Sequence, residues 1–226
     1  MHKVEGKDNC RMSTKEKEHT AFEEYILFGT QESLPLASCI KNEVLIILFS
    51  LPVLIFKRTN YIFLLLGLLP AICYLISIVR LTKEGKIQGA DYILQNGIFS
   101  ACMSFSFGLS GLAVLLYVFS GGMRIFLLCI VAVGYAAALL IYGGIMRQMM
   151  KRKDLDNVRK ANGGFLFLAC GVLGISAARI FLRNISNEMA LGIMCTCCFF
   201  LSFIALLGAF NLVKYHYLIK HKELLG

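Results

Sequence analysis

Charge is scarce in this chain, and the places where it is missing altogether define the class of protein. Only 16% of the 226 residues are charged, against about 25% in soluble domains. Stretches 61–79, 97–119, 125–146, 161–178 and 189–213 contain no Lys, Arg, Asp or Glu, and 44–56 is a shorter stretch of the same kind. A helix needs about 20 apolar residues to cross the hydrocarbon layer, where lipid offers a backbone N–H or C=O no partner. With 58% hydrophobic residues and a mean hydropathy of +0.70, the sequence predicts an all-α fold. It reads as a polytopic integral membrane helical bundle of about six transmembrane helices.

Other absences narrow the chemistry. There is no phosphate-binding Gly-x-x-x-x-Gly-Lys-Ser/Thr loop, no His-Glu-x-x-His and no Gly-x-Ser-x-Gly, so the usual signatures of nucleotide, zinc and serine hydrolysis are missing. No pair of aspartates lies mid-span, no span is rich in Arg, and no Thr-Val-Gly-Tyr-Gly filter occurs. With the first span counted from Val44, Asp91 at an edge is the nearest thing to an embedded acid. That disfavours a self-sufficient proton-driven pump. Most of the nine cysteines lie inside the apolar runs and the outer loops have none, which excludes an extracellular disulfide framework. The first 43 residues lack the apolar core of a signal peptide, so no cleavage is expected. No nucleic-acid motif accompanies the net charge of +9, and no nucleic-acid partner is expected. No catalytic residue, cofactor or metal is expected, and the chain reads as a non-enzyme.

The charges that are present order the topology. Taking alternate loops together, eighteen Lys and Arg fall on one side and five on the other. The positive-inside rule puts the eighteen in the cytoplasm. Both termini are then inside, and the location expected is the plasma membrane. Three segments follow: a polar cytoplasmic tail over 1–43, a six-span membrane domain over 44–213, and a basic cytoplasmic tail over 214–226. Thr20-Ala21-Phe22-Glu23 has a capping-box pattern and predicts a short interfacial helix near 21–28. The 44–56 run is too short to span unaided. Either its helix starts earlier, capped by Ser33 with Pro35 in the first turn and carrying Lys41 and Glu43, which snorkel or pair, or the bilayer thins around it.

Small residues recur at helical spacing inside the spans. Ser100, Ser104 and Gly108 share a side of the third span, Gly171 and Gly174 of the fifth, and Cys195, Cys198 and Ser202 of the sixth. Such stripes let helix backbones approach closely, or they line a narrow polar path. Cys195 and Cys198 also form a Cys-x-x-Cys, a candidate redox pair, though all four His lie in the predicted tails. Arg179, Arg183 and Arg124 gather at the predicted outer rim as a candidate contact for an anion or lipid headgroup. Asp91, Gln95 and Asn96 are expected to cap the third span. Gly121-Gly122, Gly143-Gly144 and Gly163-Gly164 are expected to end helices or act as hinges.

These features are best joined in a non-catalytic transport component, a permease-like subunit energised by a separate partner. Its expected partners are membrane lipids and a protein, either an ATPase or another membrane subunit, docking on loops 80–91 and 147–162. Two alternatives stand beside it: a membrane accessory, immunity or regulatory protein that binds another protein or lipid in the bilayer, and a membrane thiol oxidoreductase.

Overall fold

The computed structural model describes residues 30–57, 60–149 and 187–220. Chain order is β1 (Ser33–Pro35), α1 (Leu36–Phe56), α2 (Tyr61–Leu81), β2 (Lys86–Gln88), α3 (Ala90–Val118), α4 (Gly121–Met149), α5 (Asn187–Ala209) and α6 (Asn211–Lys220). Among the described residues five helical stretches are long and apolar enough to cross a membrane. The architecture is therefore that of a membrane-embedded helical protein. The interfacial helix expected near 21–28 and the span expected at 161–178 lie outside the described residues.

Helix α1 has 21 residues and starts at Leu36, the earlier of the two starts the sequence allowed. At about 1.5 Å per residue it reaches about 31 Å, enough to span without thinning the bilayer. Its N-cap is Pro35, in an extended conformation and without a side-chain cap. Ser33 does not cap the helix, contrary to expectation, because it is paired in a strand. Ser33, Leu34 and Pro35 face Gln88, Ile87 and Lys86 in an antiparallel ribbon, and Leu36 N donates to Gly85 O at 3.1 Å. Glu84 and Gly85 take positive φ at the turn, where glycine carries no steric cost. Ile87 is 1% exposed and packs with Leu34 into the helical core. This small ribbon is the one departure from an all-helical reading among the described residues.

Helix α3 is the hub. Of its most apolar stretch 61% is buried, whereas none of the corresponding stretch of α4 is. Helices α1, α2, α5 and α6 all pack on α3. It begins at Ala90, seven residues before the uncharged run starts, because the charge of Asp91 is accommodated: Lys83 Nζ lies 3.2 Å from Asp91 Oδ2. The expected Asp91 cap is not made. Gly89 is the N-cap, without a side-chain hydrogen bond. Helix α4 runs through Gly143-Gly144 to Met149, so that pair does not end a helix. The last span breaks at Phe210, where α5 gives way to α6.

Candidate functional site

Extending α1 to Leu36 brings four polar residues into the helix: Ser38, the exposed Lys41, and the half-buried Asn42 and Glu43. Asn42 meets Tyr74 of α2 near the ribbon end of the bundle, where Gln95 of α3 also stands. By helical rise, Glu43 lies about 10 Å from the Leu36 end, Tyr74 about 10 Å back from Leu81, and Gln95 about 8 Å from Ala90. The levels agree because α1 and α3 start at that end and α2 finishes there.

Tyr74 is at the centre, and both it and Gln95 are fully buried. Asn42 Nδ2 donates to Tyr74 Oη at 3.2 Å. Gln95 stands beside the same hydroxyl, yet neither its Oε1 nor its Nε2 makes a well-formed hydrogen bond. Glu43 Oε2 is also buried without a hydrogen-bond partner, and the carboxylate is within electrostatic reach of Tyr74 and Cys102. A buried polar atom left unsatisfied costs about 1–3 kcal/mol. An ionisable group inside a span is a candidate for function in its own right. Cys39, Ile78 and Cys102 pack with Tyr74 in the apolar core beside the cluster, while Asn42 and Glu43 are half-buried.

Farther along α3, hydroxyls bind it to its neighbours. On the α1 side, Ser50 Oγ lies 3.1 Å from Ser106 Oγ, and Ser110 Oγ donates to Phe49 O at 2.6 Å. On the α5 side, Ser104 Oγ donates to Ser202 O at 3.0 Å and Ser202 Oγ donates to Ser104 O at 2.6 Å. The Tyr135 hydroxyl of α4 joins Ser202 Oγ. A Cβ on Gly108 would lie 3.0 Å from Tyr135 Oη and 3.3 Å from Ser202 Oγ, so glycine there makes room for the junction.

The structure thus brings Ser104, Gly108 and Ser202 together in one seam between helices. Ser100, one turn from Ser104, packs against Gly208 of α5 and lines an apolar cleft of about 540 Å³ with Phe49, Phe99, Met103 and Ala205. Cys195 is buried, and its Sγ donates to Gly111 O at 3.4 Å, while Cys198 is half-buried. Both are free thiols. Arg124 is turned inward along the chain: its Nε donates to Phe119 O at 2.8 Å and its Nη2 to Leu116 O at 3.2 Å. It satisfies carbonyls at the end of α3 that no helical N–H reaches. Arg179, Arg183, Gly171 and Gly174 lie outside the described residues.

Reading the sequence alone missed Asn42, Glu43 and Tyr74 as site residues and treated Gln95 as a cap. The signal was available in part. A thirteen-residue span is too short, and lengthening it toward the N-terminus necessarily takes in Asn42 and Glu43. Comparison of the chain with protein families, with curated proteins and with solved structures found no match.

Proposed function

We propose that the protein is a non-catalytic transport component: a permease-like subunit of six spans in the plasma membrane, with both termini cytoplasmic, an interfacial helix before the first span, and its energy supplied by a separate partner. The observation that carries this reading is the Asn42–Glu43–Tyr74–Gln95 cluster with its unsatisfied buried atoms. A bundle selected only for packing gains nothing from an embedded carboxylate and an orphaned amide, since each opposes folding. A protein that receives a polar solute inside the bilayer needs such groups. The ordered turn at Lys83–Lys86 adds support. It offers a pre-formed, charged platform at the same end of the bundle as the cluster, and a docking partner there would lose little entropy in ordering it.

The test is purification from native membranes in mild detergent, followed by assay of the complex for ATP hydrolysis. Co-purifying ATPase activity that is lost on joint replacement of Lys83, Glu84 and Lys86 by Ala is the expected outcome. A monodisperse chain without partner or ATPase activity would replace this reading with that of an accessory protein. Labelling of a cysteine introduced at position 84 only from the cytoplasmic side would accompany the expected result.

A further inference from the structure

We propose that Glu43, Tyr74 and Gln95 hold one monovalent alkali cation between α1, α2 and α3. Three helices each carry an oxygen-bearing side chain at nearly the same depth by helical rise: Glu43 on α1, Tyr74 on α2 and Gln95 on α3. Two of those groups carry buried atoms with no hydrogen-bond partner among the described residues. Gln95 and Tyr74 are both 0% exposed, so bulk solvent does not satisfy them. Asn42 donates to Tyr74 Oη and Gln95 stands beside the same hydroxyl, so the amides and the phenol gather at one point.

Charge and ligand type select the ion. The cluster holds a single carboxylate, so one positive charge brings the buried site to neutrality, whereas a divalent ion would leave a net charge in apolar surroundings. Calcium also prefers several carboxylates, and magnesium retains several waters. Among the described residues no three His, Cys, Asp or Glu side chains gather as a metal site, and the oxygen donors of the cluster do not suit soft transition metals. An alkali ion held by carboxylate, amide and hydroxyl oxygens matches what remains. It would also keep the three helices at a fixed depth relative to one another, since each supplies one ligand.

The inference deepens the transport reading and rests on it for the role of the ion, but binding is tested without transport. The full chain is purified in detergent and compared in sodium, potassium or lithium chloride and in N-methyl-D-glucamine chloride at equal ionic strength. Thermal unfolding and equilibrium binding of radiolabelled sodium are measured. At least one alkali ion should raise the melting temperature by several degrees over N-methyl-D-glucamine, and labelled sodium should bind or be displaced by the preferred ion. Glu43→Gln and Gln95→Leu should abolish both effects. Gln95→Leu should also be more stable than the parent in alkali-free buffer, because it removes the orphaned amide. That gives a folded variant even if Glu43→Gln fails to fold. Equal melting in every salt, or a Gln95→Leu chain that keeps its ion response, would overturn the proposal. So would stability that follows pH alone, because a proton on Glu43 would then be the whole occupant. Ion binding with no partner ATPase would sink the transport reading and leave the site standing. An active complex indifferent to alkali ions would do the reverse.

Discussion

Replacing Gly97 by Ala should separate two helices that meet without space for a methyl group. A Cβ there would lie 2.8 Å from Leu212 N, 2.8 Å from Leu212 Cδ2 and 2.9 Å from Leu212 Cγ. The leucine side chain can rotate away, but the backbone nitrogen moves only if the first turn of α6 moves. Forced overpacking of this kind costs about 1–3 kcal/mol. Alanine recovers up to about 1 kcal/mol from its better helix propensity, leaving a net loss of about 1–2 kcal/mol. Gly143→Ala is the matched control, the same chemical change in α4 with nothing among the described residues within 4 Å of the new methyl. It should gain about 0.5–1 kcal/mol. The two variants are therefore expected to differ by about 1.5–3 kcal/mol. Equilibrium unfolding in mixed micelles, followed by far-ultraviolet circular dichroism, measures that difference. If Gly97→Ala proves as stable as Gly143→Ala, the close crossing of α3 and α6 is wrong.

Ser104→Ala and Ser202→Ala should each destabilise by about 0.5–1.5 kcal/mol, within the range of interhelical hydrogen bonds in membranes. The double variant should lose less than the sum, because the reciprocal bonds are shared, and a double-mutant cycle reads that coupling. Arg124→Ala should cost about 1–2 kcal/mol by freeing the carbonyls of Leu116 and Phe119. Arg124→Lys should recover less than half, since one ammonium cannot reproduce a two-nitrogen fork, and the same unfolding assay ranks the three proteins. Gly85→Ala, at φ 76°, should cost about 1 kcal/mol of backbone strain. Hydrogen exchange should localise it as faster exchange at the Leu36 amide, which is bonded to Gly85 O, while the amides of α3 stay protected.

What could be read from the sequence followed the strength of the physical constraint. Hydrocarbon tolerates no unsatisfied backbone, so the helices at 61–79, 97–119 and 125–146 were legible from composition, and the structure places α2, α3 and α4 over them. Their ends were not. Asp91 and Gln95 marked a boundary by polarity, yet an ion pair with Lys83 and burial against Tyr74 carry α3 past it. The same polarity left the start of the first span open between about 34 and 44; the earlier start, which α1 takes at Leu36, puts inside the span the acid, Glu43, whose absence spoke against a self-sufficient proton-driven pump. Composition records which residues are polar. It does not record which of them find partners on another helix, and Ser106, bonded to a residue 56 positions away, has no local sign of it. The β1–β2 ribbon escaped notice for a similar reason: three residues on each side are too few to give a periodicity.

The central position of α3 sets the order in which this chain can be assembled. Its serine partners on α1 are made before it, but Ser202 follows Ser104 by 98 residues. While ribosomes are still making the later portion, one flank of α3 carries hydroxyls and bare glycines with nothing to clasp. A nascent chain halted after Met149 would leave that flank to lipid or to an insertase holding it at the translocon. Truncation at that point should therefore yield a quickly degraded fragment, and supplying α5 and α6 as a second polypeptide in the same cell should rescue it.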